Sequence, residues 1–195
     1  VMSIPAGLMV ERWGEKRMMM SAFVLAFLGA ITFAAFPSFD VFVISLFTIG
    51  AGMAILQVVI NPLLRVAGGE EHYTVNSVLA QLIFGLASFV SPQMYSYLVS
   101  NIDQQNLNAP VIALMADLVP DKMSWVSVYW AFAMISIAMI AVIAFVKFPK
   151  VELREDEKVG SRSSFAELLN DKYTILYFIA MFAYVGTEQG ISYWM

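Results

Sequence analysis

The sequence predicts an all-α, polytopic transmembrane helical bundle, and three observations carry that prediction. The first is bulk composition: 60% of the residues are hydrophobic and only 13% are charged, with a mean hydropathy of +0.75. A soluble domain carries about 25% charged and roughly 45–50% apolar residues, and a chain of 195 residues cannot hide the excess in one core. The second is that the apolarity comes in runs as long as a bilayer is thick, which takes about 20 helical residues. The third is the placement of basic residues, which alternates from one connecting segment to the next. A soluble bundle of long buried helices would show polar stripes at helical spacing, whereas these runs are apolar all round.

Taken in order, residues 1–10 read as the end of a helix that begins outside the chain. Residues 18–36 hold no charge and make the first complete span. Pro37, Ser38, Phe39 and Asp40 form a turn. A second span runs over 41–64, a third over 77–99, a fourth over 124–146 and a fifth over 173–195. In the segment 100–123, Asn108 and Pro110 start a short helix that runs through Leu118. The segment 147–172 is charged throughout. Within it Ser164 and Glu167 form a capping-box pattern, which would open a short amphipathic helix carrying Phe165, Leu168 and Leu169 at the membrane surface. The plainer reading of that segment is a solvated linker.

Orientation follows from the cations. Arg12, Lys16 and Arg17 precede the first span, Arg65 follows the second, and Lys147, Lys150, Arg154, Lys158, Arg162 and Lys172 separate the fourth from the fifth. Those ten of the eleven Lys and Arg residues mark the cytoplasmic side. Lys122 alone falls opposite.

Enzyme chemistry finds no support. Cysteine is absent and His72 is the single histidine, which removes disulfides, thiolate nucleophiles and Cys/His metal sites. His72 stands beside Glu70 and Glu71 in a connecting segment, where solvation explains it. There is no phosphate-binding glycine loop, HExxH or supportable serine–histidine pair. No cofactor, metal or nucleic-acid partner is expected. The partners expected are a lipid bilayer and a small molecule.

The candidate site residues are polar groups inside the spans. Glu188 is the one acid placed in the middle of a span. A charge at that depth costs about 2.5–3.5 kcal/mol on insertion scales, so it marks either a substrate or ion contact or a structural bond between helices. Gln57 and Asn61 in the second span, Gln81 and Gln93 in the third, and Gln189 beside Glu188 supply paired donors and acceptors suited to hydroxyl-rich ligands. Interhelical bonding, worth about 0.6 kcal/mol on average, explains any one of them alone. Gly50 and Gly52 allow close helix approach. Pro62 and Pro92 interrupt hydrogen bonding in the second and third spans. Trp125, Tyr129 and Trp130 read as an interfacial aromatic belt.

The run Gly7-Leu8-Met9-Val10-Glu11-Arg12-Trp13-Gly14-Glu15-Lys16-Arg17 resembles the signature loop of the major facilitator superfamily, between its second and third helices, with Glu11 where the usual acid is Asp. Further stretches resemble the fucose/glucose–galactose permease group of that superfamily. These are Ile4-Pro5-Ala6-Gly7, Leu56-Gln57 with Asn61-Pro62, Asn76 with Leu79-Ala80-Gln81 and Pro92, Lys147-Phe148-Pro149, and Tyr184-Val185-Gly186-Thr187-Glu188. The resemblance implies that residues 1–146 belong to a six-helix bundle from the end of helix two to helix six. It makes 147–172 the linker between bundles and 173–195 the first helix of the second bundle.

It implies alternating-access uptake of a monosaccharide, with a proton as coupling ion, in a bacterial inner membrane. Gln57, Asn61, Gln81, Phe84 and Glu188 would line the substrate path. Gly7, Glu11, Arg12, Gly14, Lys16 and Arg17 would form a conformational latch. The group's proton-accepting acid lies on its first helix, outside this chain; Gln57 does not titrate, which leaves Glu188. Gln57 stands where fucose permeases have an acid, and Phe84 where the group has Asn. The alternatives are a major facilitator carrier for a non-sugar solute and a membrane sensor that no longer transports.

Overall fold

The computed structural model describes residues 3–105, 109–120, 122–148 and 170–194. The chain divides into two compact units, residues 1–157 and 158–195. In the first unit, α1 (Ser3–Trp13) and α2 (Glu15–Ala35) are joined by a single residue, Gly14. Gly14 has φ 79°, a left-handed conformation open to glycine without steric cost. Its N–H donates to the Val10 carbonyl at 2.8 Å, and its own carbonyl accepts from Met18 N–H at 3.2 Å. The signature segment expected as a loop is therefore helical up to Trp13 and again from Glu15. One permissive residue turns the chain and satisfies the backbone on both sides.

The turn before the next span is also shorter than expected. The helix α3 (Phe39–Gly68) already includes Phe39 and Asp40, and Ser38 lends its carbonyl to Phe42 N–H at 2.9 Å. Asp40 in that first turn faces the positive end of the helix dipole. At its far end α3 continues through Pro62 and past Arg65. Arg65, placed by the sequence between the second and third spans, is only 7% exposed. The apolar neighbours Leu63, Leu64 and Val66 keep the helix going and draw the arginine inward.

Gly69 (φ 79°) and the 3₁₀ turn Glu70–His72 lead into α4 (Tyr73–Asp103), which runs through Pro92. Asn76 Nδ2 donates to the Gly68 carbonyl at 3.1 Å and so ties the start of α4 to the end of α3. The expected short helix is α5 (Pro110–Leu118), with its proline in the first turn; Asn108 lies outside the described residues. A 3₁₀ turn, Ser124–Val126, then opens α6 (Ser127–Phe145). The expected capping box and amphipathic helix of 164–169 also lie outside the described residues.

Among the described residues, four helical segments are long and apolar enough to cross a membrane: Glu15–Ala35, Phe39–Gly68, Tyr73–Asp103 and Ser124–Phe145. The second unit holds α7 (Lys172–Trp194), the expected fifth span. It is a helix of 23 residues but is not among those four, since Glu188, Gln189 and its tyrosines lower its hydropathy. Asp171 caps it. Its carboxylate accepts from Thr174 N–H at 3.0 Å and Thr174 Oγ1 at 2.8 Å, satisfying one otherwise unpaired N–H of the first turn.

Packing in the first unit centres on α2. Met18, Ala22, Ala26, Gly29, Ala30 and Phe33 recur every three or four residues and are buried. Small side chains let α3 come close, as in membrane helix pairs where apolar burial gives little drive and van der Waals fit decides. A Cβ on Gly52 of α3 would lie 2.6 Å from the Ala22 carbonyl oxygen, and one on Gly29 of α2 would lie 2.9 Å from that of Ser45. Gly50, by contrast, has nothing within 4 Å, so only one of the two expected packing glycines is in contact. A second cluster joins Leu98 of α4, Met115 of α5 and Ala131 of α6.

The aromatic residues at the start of α6 do more than line an interface. Phe33 packs against Phe42, Trp125 and Tyr129 with ring centroids 5.2, 5.7 and 4.6 Å away. The rings bind the ends of α2, α3 and α6 together.

Two outcomes follow. Gly52→Ala lowers the stability of the full-length protein in detergent by about 1–3 kcal/mol, read as a falling thermal midpoint, while Gly50→Ala stays within about 0.5 kcal/mol. For α7, the hydrogen bonds from Thr174 hold the Asp171 carboxyl below its ordinary value of 3.8. A depressed folded value stabilises the helix above pH 3.8 and loses that contribution as pH falls through the folded value. Circular dichroism of a micelle-bound peptide of residues 168–195 then shows fraying below that pH. Asp171→Ala abolishes the acid-dependent step and frays the helix at neutral pH.

Candidate functional site

The polar residues of the predicted path occupy one side of α3. Its buried face carries Ser45, Gly52, Ile55, Val59 and Leu63. Gln57 is two residues from both Ile55 and Val59, about 200° around the helix from each, and it is exposed. Asn61 stands in the same relation to Val59 and Leu63 and is also exposed. The two amides, four residues apart on one face, look away from α2.

On α4, Gln81 and Phe84 share a face by their spacing of three. Both are exposed, Phe84 at 71%. Counted along each helix from the short corner, Asn61 and Gln81 stand roughly two turns away, and Gln57 and Phe84 roughly three. Glu188 lies on α7 in the second unit, exposed and not without a polar partner.

The predicted latch residues gather at the end of the unit where α1 ends and α2 begins. Gly7 is buried on α1, Glu11 and Arg12 are exposed in its last turns, and Arg17 is exposed at the start of α2. Neither Glu11 nor Arg65 lacks a polar partner. Lys16 reaches the end of α6, where its Nζ donates to the carbonyls of Ala144 at 3.1 Å and Val146 at 2.8 Å. An ammonium there satisfies helix-end carbonyls and complements the negative end of the dipole. The same Nζ stands 5.8 Å from the centre of the Phe148 ring, within cation–π range. Trp13, Gly14, Arg17, Met20 and Phe148 help enclose a cleft of about 390 Å³ beside it.

Sequence reasoning placed Lys16 in the latch but gave it no target, because a contact 128 residues away in the chain leaves no local mark. It counted Arg65 among the cytoplasmic cations but placed it beyond the second span rather than within the helix. The flanking run Leu63-Leu64-Arg65-Val66-Ala67 was the available signal, since an isolated cation in an apolar helical pattern belongs to the helix.

The family profile described as Major Facilitator Superfamily matches residues 1–195, the whole chain. The chain belongs to the Major Facilitator Superfamily. Within it, the chain is 27% identical over 196 residues to a glucose/galactose transporter of Brucella abortus, an alignment covering 98% of this chain and 44% of that protein. It is 27% identical over 201 residues to an L-fucose-proton symporter of Escherichia coli, covering 96% of this chain and 45% of the symporter. The crystal structure of the E. coli fucose:proton symporter matches with a TM-score of 0.66 at 28% identity, over 96% of this chain and 48% of that one. The chain thus spans less than half the length of these relatives. As a member of the superfamily it is an integral membrane protein.

Removing the Lys16 ammonium exposes the carbonyls at the end of α6. Lys16→Ala costs about 0.3–1 kcal/mol, the usual worth of a charge at a helix end, while Lys16→Arg retains most of it. Hydrogen exchange at the amides of the last turn of α6 reports the difference, with faster exchange in Lys16→Ala alone.

Proposed function

We propose that the full-length protein is a secondary active transporter that takes up a monosaccharide of the fucose, glucose or galactose type, coupled to protons, by alternating access. The alignment to glucose/galactose transporters and to an L-fucose-proton symporter along nearly the whole chain carries this reading. The amides on the exposed faces of α3 and α4 support it, because a sugar hydroxyl both donates and accepts and an amide answers it with one group of each kind. In this reading residues 1–146 belong to the first bundle, 147–172 to the linker and 173–195 to the first helix of the second bundle. The two bundles rock about a midplane site, and the protein sits in a bacterial inner membrane with the signature segment in the cytoplasm.

Each residue then has a role. Gln57, Asn61 and Gln81 bond the sugar from the first bundle, and Phe84 offers a face on which a pyranose ring stacks. Glu188 faces the path from the second bundle and is the acid within this chain able to exchange a proton. The latch residues Gly7, Glu11, Arg12, Gly14, Lys16 and Arg17 hold one of the alternating states. Lys16 does so through the end of α6, from which the chain leaves toward the linker. A second reading, a carrier for a non-sugar solute, rests on Phe84, a large exposed apolar ring among the amides.

Radiolabelled uptake into vesicles carrying the full-length protein tests the proposal. An inward proton gradient drives accumulation of at least one of fucose, glucose and galactose. Gln57→Ala and Gln81→Ala each raise KM by roughly 5- to 10-fold, as expected for the loss of about 1 kcal/mol of hydrogen bonding. Glu188→Gln uncouples uptake from the gradient. A well-expressed protein that moves no hexose or deoxyhexose sinks the sugar assignment and leaves the second reading.

A further inference from the structure

At the end of the first unit opposite the signature segment, α4, α5 and the connection into α6 enclose a cleft of about 610 Å³, within the common range of small-molecule sites, about 300–1,000 Å³. Packing of Met115 against Leu98 and Ala131 clamps α5 between α4 and α6. Asp103, Gln105, Lys122 and Ser124 line the cleft together with the apolar Ile102 and Val119.

Three features set this cleft apart from a crevice between loops. Ser124 Oγ donates to Asp103 Oδ1, which fixes the carboxylate and leaves Oδ2 to accept from elsewhere. Gln105 and Lys122, with φ 52° and 65°, are the only non-glycine residues with positive φ among the described residues, and both line the opening. At Gln105 this is the ordinary left-handed ending of α4, its N–H donating to the Ile102 carbonyl at 3.1 Å; at Lys122 it falls in the connection to α6, where a non-glycine residue adopts it uncommonly. Lys122 is also the one cation of the eleven Lys and Arg residues placed on this side by the charge alternation, against the usual bias.

The chemistry of the set is specific. A carboxylate only accepts, an ammonium only donates, and an amide does both. Two neighbouring hydroxyls on a ring meet all three, one donating to Asp103 while the next accepts from Lys122, with the C–H face of the ring over Ile102 and Val119. We propose that this cleft is a second, extracytoplasmic docking site for a neutral polyhydroxylated solute, separate from the path along α3 and α4. It captures the sugar before the bundles open to it. The assignment of solute class rests on the sugar-carrier reading.

The test uses the full-length protein in right-side-out vesicles, with Val119→Cys in a background lacking other accessible cysteines; the present chain has none. A membrane-impermeant maleimide labels the cysteine with and without D-glucose, D-galactose or L-fucose, and Ala116→Cys repeats the measurement should Val119→Cys fold poorly. Uptake is measured on the same vesicles. One of the sugars slows labelling severalfold, the protection survives Gln57→Ala combined with Gln81→Ala, and Asp103→Asn raises the half-protecting concentration about tenfold.

Uptake without protection overturns the docking site and leaves the carrier reading standing. Protection that vanishes in the Gln57→Ala, Gln81→Ala protein also overturns it, since labelling then reports closure around the central path. Protection by glucuronate or an amino acid but by no neutral sugar overturns the solute class. Protection without uptake upholds the site while sinking the carrier reading, and the absence of both sinks both.

Discussion

The carbonyl oxygen of Ala22 lies 2.6 Å from the point where Gly52 would carry a Cβ, and the first unit is organised around that approach. In hydrocarbon, helices gain little by burying apolar side chains against one another, because lipid tails are equally apolar. What holds α2 to α3 is contact between backbones that small residues permit: Ala22, Ala26 and Gly29 on one helix, Gly52 on the other. Once α2 is fixed against α3, its remaining contacts locate other elements. Gly14 fixes the direction from which α1 arrives. Lys16 meets the end of α6, and Phe33 meets its start near Trp125 and Tyr129.

Tying α6 to α2 at both ends has a bearing on the proposed transport cycle. Alternating access in this superfamily needs bundles that move as bodies around a fixed site. A hydrogen-bonded ammonium at one end and interlocked rings at the other restrain sliding between the two helices. The amides of α3 lie on the opposite side of that helix, free of this packing. The arrangement separates residues that hold the unit together from those available to a solute.

Most of the fold was legible in the sequence, since its strongest signals are local. Span positions follow from uncharged runs and α5 from Pro110, whereas the single-residue break at Gly14 lay inside a segment expected to be a loop. What was misjudged depends on distant partners or on single residues overriding a local rule. Arg65 was placed between the second span, drawn to 64, and the third, yet α3 runs on to Gly68 and buries it. Trp125 and Tyr129 match an interfacial belt in composition, but Phe33, nearly a hundred residues earlier, supplies the surface they pack on. The candidate path residues Gln57, Asn61, Gln81 and Glu188 stood out as polar groups in apolar runs, and Phe84 only through the family resemblance. Their faces and depths became comparable only with the extents of α3 and α4 fixed, because helix ends, not helix middles, are what periodicity reads least well.

The corner between α3 and α4 bears on how freely the two helices move against each other. Only Gly69 and the three residues Glu70–His72 separate them, and Asn76 closes the corner on the Gly68 carbonyl. A connection of four residues leaves little slack, so a shift of either helix along its own axis pulls on the other. The amides of α3 and α4 therefore keep their distances from a common pivot.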